Sequence, residues 1–309
     1  MRIVLCCPGI DAAPWLEGLR AALPQAVLTQ WKPGDGANPH ADCALVWNPP
    51  QAFMDEHPGL RWIANMGAGV DALIKLSLPQ GAAVLRITDA GMAAQMAEYA
   101  CHAVLRHFRE FDRYETEMAQ GQWRLYPPRR RADFPVGVMG LGALGERVAA
   151  TLARFDFPVN GWSRNARTLE GVRCFSGEAQ LADFLAATRV LVCLLPLTPG
   201  TRDILRRDTL LRLRPGAYLI NMARGEHLVE GDLIELLASG HMAGAALDVF
   251  RTEPLPAHHP FRGHPLITLT PHASARTLPE ESIAQIAAKL QALEQGLPVQ
   301  GLVDLRQGY

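Results

Sequence analysis

Three ionisable residues stand just past short apolar runs in the second half of the chain. Arg224 follows Ile220-Asn221-Met222-Ala223, Glu253 follows Asp248-Val249-Phe250-Arg251-Thr252, and His272 follows Thr270-Pro271. A planar guanidinium can bind both oxygens of a carboxylate and polarise a neighbouring carbonyl. An imidazole titrates near neutral pH and can protonate a nascent alkoxide, while a nearby carboxylate favours its imidazolium form and fixes the ring. Hydride transfer to a 2-keto acid needs this set. Singly, each residue has a plainer reading: Arg224 a surface charge, Glu253 a helix-start acid before Pro254, His272 a capped turn residue.

A partner for such chemistry is written earlier in the chain. Val138-Met139-Gly140-Leu141-Gly142-Ala143-Leu144-Gly145 lies between an apolar lead-in and an Ala/Val-rich sequel, the pattern of strand, tight turn and helix. In that context the glycines permit a sharp turn, close approach to a pyrophosphate and tight helix–strand packing, and the helix start offers unpaired N–H groups. Gly140, Gly142, Ala143, Leu144 and Gly145 are therefore expected to hold a dinucleotide.

About twenty residues on, where a protein selecting NAD carries Asp or Glu, stands Trp162-Ser163-Arg164-Asn165-Ala166-Arg167. No carboxylate is there to repel a 2'-phosphate. Ser163 can hydrogen-bond one and Arg164 can pair with it, with Arg167 further off, so NADP is expected with NADPH preferred and NADH possible. The competing reading makes both arginines solvated loop residues. Leu195-Pro196 ends another strand where cofactor-facing loops are expected. Asp248 closes an apolar strand and needs a donor, which a nicotinamide carboxamide, a helix cap or a local ion pair could supply.

The elements that must position these groups alternate between strand and helix patterns. Arg2 to Cys7, Val27 to Trp31, Cys43 to Trp47, Leu60 to Asn65 and Val84 to Thr88 read as strands, with Ala12 to Leu23, Ala52 to His57 and Val70 to Leu76 helical between them. One long helix is expected from about Ala93 to Gln120, followed by a loop carrying Arg129-Arg130-Arg131 that reads as solvated. Six further strands are expected at Val136 to Met139, Val159 to Ser163, Val190 to Leu195, Tyr218 to Met222, Ala245 to Phe250 and Ile267 to Thr270, spacing that suits a Rossmann sheet. The last amphipathic run, about Pro279 to Gln295, is expected to pack back on the first half. The fold class is thus α/β: two Rossmann-like or flavodoxin-like lobes, each a doubly wound parallel sheet, with a cleft between them. Residues 1–95 completed by 277–309 would form the substrate domain, and 96–276 the NAD(P)-binding domain.

Bulk properties agree with a small-molecule enzyme. The 309 residues are 49% hydrophobic with a formal net charge of -1, so nothing argues for nucleic acid or an anionic membrane as partner. No secretory segment or spanning run is evident, and a cytoplasmic protein is expected. The six cysteines, at 6, 7, 43, 101, 174 and 193, have no metal-type spacing and read as buried, reduced thiols. His258, His259 and His264 lie in the loop between Glu253 and His272, but without ligand spacing no metal is expected.

Taken together, Gly140-Leu-Gly142-Ala-Leu-Gly145, Asn221-Met-Ala-Arg224-Gly225, Leu247-Asp248-Val249-Phe250 with Glu253-Pro254, and Thr270-Pro271-His272 closely resemble the D-isomer-specific 2-hydroxyacid dehydrogenase family, over nearly the whole chain. Ala44-Leu-Val-Trp47-Asn-Pro-Pro50, Gly67-Ala-Gly-Val-Asp71, Gly91-Met92 with Gln95-Met96 and Glu98-Tyr99, and the closing Arg306-Gln-Gly-Tyr309 resemble its glyoxylate- and hydroxypyruvate-reducing branch. The resemblance implies a two-lobed homodimer that reduces those small 2-keto acids with NADPH, using Arg224, Glu253 and His272. It also implies that the Gly67–Asp71 loop grips the substrate carboxylate through the N–H groups of Ala68 and Gly69. Trp47 would wall the pocket, with core packing as an equal reading. Two other functions remain open at this point: a dehydrogenase for a larger 2-keto acid, and a nucleotide-sensing binding protein of the same fold.

Overall fold

The computed structural model describes residues 1–306 and Gly308; Gln307 and Tyr309 of the closing motif lie outside the described residues. The chain forms two compact units, Met1–Gly91 with Thr277–Tyr309, and Met92–Arg276. The expected 95/96 boundary falls inside a helix that begins at Met92.

In the first unit β1 (Arg2–Cys6), α1 (Ala13–Ala22), β2 (Val27–Gln30), β3 (Cys43–Val46), α2 (Gln51–Glu56), β4 (Trp62–Asn65) and β5 (Ala83–Leu85) follow in order. The five strands form a parallel sheet in the order β2-β1-β3-β4-β5. Both β3 and β4 are buried along their whole length, as unbroken apolar strands covered on two faces must be. The helix expected over Val70 to Leu76 shrinks to a single 3-10 turn, Leu73–Lys75.

The second unit begins with α3 (Met92–Phe108) and α4 (Phe111–Ala119). These replace the one long helix expected: Glu110 sits in the left-handed region at φ 55° and breaks it. Ala93, Ala97, Ala100, Val104, His107 and Phe108 bury one face of α3, the stripe that helical periodicity demands.

Next come β6 (Val136–Met139), α5 (Ala143–Arg154), β7 (Val159–Ser163), β8 (Val172–Ser176), α6 (Leu181–Ala186), β9 (Val190–Cys193), α7 (Arg207–Leu210), β10 (Ala217–Asn221), α8 (Glu230–Ala238), β11 (Met242–Leu247) and β12 (Ile267–Leu269). The sheet has seven strands rather than the six expected, in the order β12-β11-β10-β9-β6-β7-β8, all parallel. The extra strand is β8, at an edge. The order reverses between β6 and β9, the switch point at which doubly wound sheets bind ligands.

The chain returns to the first unit as α9 (Pro279–Glu294), opened by Pro279 and the acidic Glu280 and Glu281, residues that suit a helix start. It packs on α1 so closely that a Cβ on Gly18 would lie 2.7 Å from Ile283. The expected return of this helix to the first half is therefore observed. The cysteines are all free thiols, buried except for the half-buried Cys174.

Candidate active site

Every candidate cofactor or catalytic residue hangs from the carboxyl end of a strand in the seven-stranded sheet. Gly140 follows β6, Ser163 ends β7, Leu195 and Pro196 follow β9, Arg224 follows β10, Asp248 and Glu253 follow β11, and His272 follows β12. A parallel sheet places all strand ends on one side, so residues 132 positions apart in sequence meet at one edge.

The glycine turn fits a dinucleotide. At φ 109°, Gly140 takes a backbone conformation closed to most side chains, and a Cβ there would lie 2.8 Å from the Leu194 carbonyl. A Cβ on Gly145 would meet the Gly140 carbonyl. Beside Gly142 the space is open, with no atom within 4 Å of a Cβ built there. The first intrahelical bond of α5 runs from Glu146 N–H to the Gly142 carbonyl, so the N–H groups of Ala143, Leu144 and Gly145 precede the helical ladder, as an anion requires. Close packing at two glycines and openness at the middle one leave room for a pyrophosphate beside the helix start.

At the end of β7, Arg164 is exposed. Ser163 donates its hydroxyl proton to the Asn165 carbonyl at 2.7 Å, leaving the serine oxygen as an acceptor. Arg167 pairs with Glu146 at 3.4 Å.

The three ionisable residues that open the sequence reading do come together. His272 Nδ1 lies 2.8 Å from Glu253 Oε2, and the other carboxylate oxygen of Glu253 accepts the Phe250 N–H at 2.9 Å. The Glu253 hydrogen bond raises the His272 imidazole above its ordinary 6.5, against burial and the Arg224 charge. Burial pushes the Glu253 carboxyl up, but the His272 and Phe250 hydrogen bonds and the positive charge of His272 and Arg224 outweigh it, leaving it below its ordinary value. Arg224 therefore lies within electrostatic reach of both partners. One of its guanidinium nitrogens donates to the Ala223 carbonyl at 2.7 Å.

Asp248 is fully buried, and the protein supplies three of the donors its position demands. They are the Thr270 hydroxyl at 2.6 Å and the N–H groups of Ala273 at 2.8 Å and Ser274 at 2.9 Å. The Asp248 carbonyl also takes the His272 N–H at 2.8 Å. A left-handed φ of 52° at His272, rare for a residue with a side chain, is held by this web. Tyr99 Oη, on α3, lies 2.8 Å from Thr270 Oγ1, and Gln95 bonds both the N–H and the carbonyl of Arg276. Sequence reasoning missed Thr270 and Tyr99 as supports. The sequence signals only that a carboxylate closing an apolar strand needs donors, not which residues supply them.

In the first unit, the loop after β4 is tied by Asn65, whose amide donates to the carbonyls of Gly67 at 3.0 Å and Gly69 at 2.8 Å. Trp47, after β3, is half-buried and packs against Gly67 so tightly that a Cβ there would lie 2.6 Å from its ring.

In the His-rich loop, His259 bonds Glu230 at 3.2 Å and stacks edge-on with Phe261. Among the described residues no group of three His, Cys, Asp or Glu is placed to hold a metal ion.

A fold of this order and a glycine turn of this shape suit a dinucleotide-binding protein. Residues 101–274 match the family model for the NAD binding domain of D-isomer specific 2-hydroxyacid dehydrogenases. Over the full length of both chains the protein is 46% identical to the glyoxylate/hydroxypyruvate reductase A of Serratia proteamaculans and 45% identical to that of Photorhabdus laumondii. A D-isomer specific 2-hydroxyacid dehydrogenase from Xanthobacter autotrophicus Py2, solved in complex with NADPH and MES, superposes with a TM-score of 0.95 at 39% identity. The match covers 100% of this chain and 99% of that one. The NADPH-dependent glyoxylate/hydroxypyruvate reductase of Sinorhizobium meliloti, solved in complex with NADP and sulfate, gives 0.93 at 31% identity with the same coverage. The chain belongs to the D-isomer-specific 2-hydroxyacid dehydrogenase family.

Proposed function

We propose that this protein reduces small 2-keto acids, glyoxylate to glycolate and hydroxypyruvate to glycerate, with NADPH. The observation that carries the reading is the 2.8 Å bond from His272 to Glu253 within the electrostatic reach of Arg224. With Nδ1 engaged by Glu253, the imidazolium presents Nε2–H to the substrate side and gives that proton to the alkoxide oxygen. Arg224 grips the carboxylate and polarises the ketone. Asp248 sets the His272 loop. NADPH, when bound, supplies the hydride.

Gly140, Gly142, Ala143, Leu144 and Gly145 hold the pyrophosphate, with Leu195 and Pro196 beside them. Arg164, directly after β7, carries the selection for the 2'-phosphate, with Arg167 further along the loop. In the five-stranded unit, the carbonyls of Gly67 and Gly69 turn to Asn65, which supports a role for the N–H groups of Ala68 and Gly69 in binding the substrate carboxylate. The packing of Trp47 on Gly67 supports a small pocket.

We further propose a cytoplasmic homodimer. After α4, Trp123 and Leu125 are 83% and 85% exposed, a costly display for a lone chain. Among the described residues no helix is long and apolar enough to cross a membrane.

A panel of 2-keto acids from glyoxylate to bulky aromatic ones, assayed with NADPH and NADH in parallel, tests the enzyme reading. Glyoxylate and hydroxypyruvate with NADPH should give the highest kcat/KM. Preference for a bulky keto acid, or equal use of both coenzymes, refutes it in part, and no turnover of any keto acid refutes it whole. Sedimentation of the purified chain as a monomer would refute the dimer.

A further inference from the structure

His227 is a fully buried polar residue that the scheme above leaves without a task. It closes the 3-10 turn Gly225–His227 immediately after Arg224. Its Nδ1 lies 3.3 Å from the Arg224 backbone nitrogen and 3.2 Å from the Arg224 carbonyl oxygen, and its Nε2 lies 3.3 Å from the Pro196 carbonyl oxygen, 31 residues away in sequence. The Arg224 carbonyl already accepts the Asn221 amide, so the tautomer protonated on Nε2, which donates to the Pro196 carbonyl, is the one that also leaves an acceptor for the Arg224 N–H. Nδ1 is then the acceptor for the Arg224 N–H. Burial, chiefly, holds the imidazole below its ordinary value, against the Pro196 and Arg224 backbone bonds and the Glu226 charge and with the Arg224 guanidinium. A neutral ring of this tautomer satisfies both backbone groups at once.

The bridge lies inside a larger junction. Asn221 takes the Arg224 turn from the other side, donating to the Arg224 carbonyl at 3.0 Å and accepting the Ala223 N–H at 3.3 Å. The backbone from 203 to 205 is laced to the same turn, with Asp203 N–H on the Glu226 carbonyl at 2.9 Å and Leu205 N–H on the His227 carbonyl at 2.8 Å. The Pro196 carbonyl also receives the Thr201 hydroxyl at 2.7 Å. On the far side, Gly225 is pressed against the Phe250 backbone, where a Cβ would lie 1.9 Å from the carbonyl carbon. Phe250 N–H in turn holds Glu253. Three loops from three strand ends, at Pro196, Arg224 and Glu253, thus share one rigid junction, and His227 is the side chain joining the first two.

We propose that His227 is a positioning residue that locks the Arg224 turn to the Leu195–Pro196 loop, so that the carboxylate clamp and the cofactor-facing edge are set as one piece. The proposal rests on the functional reading above and adds a residue to it. Its consequence is that affinity for NADPH and handling of the keto acid are coupled through a ring that touches neither.

Two amide replacements separate the two ends of the ring. His227→Asn can still accept the Arg224 N–H but is too short for Pro196, whereas His227→Gln reaches Pro196 with a donor. The readouts, on the whole chain, are the NADPH dissociation constant by fluorescence titration, KM and kcat for glyoxylate, and the melting midpoint. His227→Asn should weaken NADPH binding about 10-fold and lower kcat/KM for glyoxylate by a similar factor, the scale of one lost buried hydrogen bond. His227→Gln should stay within roughly threefold of the parent on both. Parent-like constants in His227→Asn overturn the proposal. Equal losses in both variants that follow a fall in the melting midpoint overturn it too, since a merely structural histidine would behave so. NADPH titration needs no turnover: a parent chain that binds NADPH but reduces no keto acid refutes the functional reading, while the Asn–Gln difference in NADPH affinity still decides the role of His227.

Discussion

The carboxyl edge of the seven-stranded sheet carries side chains that ionise: Arg224, Asp248, Glu253 and His272 all sit just past strand ends. The same edge of the five-stranded sheet carries Trp47, Asn65 and the glycine loop Gly67 to Gly69, and its hydrogen bonds run from an amide to backbone carbonyls. Both sheets are wholly parallel and obey one rule for where ligands bind. One edge brings an imidazole and a carboxylate into hydrogen-bond contact, whereas the other, which also carries Asp71 and Arg86, presents backbone and a flat wall. A shared topology therefore fixes where a site lies, and the residues at the strand ends decide what it can do.

Substitutions at the two edges should separate these roles. His272→Ala should cost the most, lowering kcat for glyoxylate by about 10³-fold while NADPH titration stays near native, because a general acid contributes on the order of 10²–10⁴. Undiminished turnover would exclude His272 as proton donor. Arg224→Ala should lower kcat/KM by about 10²-fold with a raised KM, the signature of a clamp felt before and during reaction. Unchanged kinetics would remove Arg224 from the site.

The ion pair makes a pH prediction with a definite sign. Reduction needs protonated His272, whose value lies above 6.5 because Glu253 stabilises the charged form. The rate should hold below that raised value and fall as pH climbs through it. Glu253→Gln removes the charge, so the descending limb should move to lower pH and the plateau drop roughly 10-fold. A limb that stays in place would show that Glu253 does not tune the imidazole. The smallest effect is expected at the other edge. Gly67→Ala pushes a methyl into Trp47 and should raise KM for glyoxylate several-fold, roughly 1 kcal/mol, with kcat little changed. A collapse of kcat there would erase the contrast between the edges.

Most of this was legible in the chain because parallel strands are written as local apolar runs and the site residues stand immediately after them. What was not legible depends on distant partners or on edges. Strand β8 escaped because it is an edge strand, half-buried and carrying the exposed Arg173, so its alternation is weak. The break between α3 and α4 has no Gly or Pro to announce it; Glu110 is held there with Arg113 and Arg129 as ion partners. Thr270, Ala273 and Ser274 could not be matched to Asp248 in advance, since they lie 22 to 26 positions further on. His227 carries no signal in the sequence, since its partner Pro196 lies 31 positions away.

The one-sided arrangement of the larger sheet also has a use. The turn around Gly240, exposed and left-handed at φ 76°, enters β11 from its amino end, on the opposite rim from Arg224, Asp248 and His272. A fluorescent reporter spliced in at Gly240 should leave glyoxylate turnover standing, whereas the same insert at Gly200, in the loop beside Pro196, should abolish it. The protein could then be tagged or made into a coenzyme sensor from its blank rim.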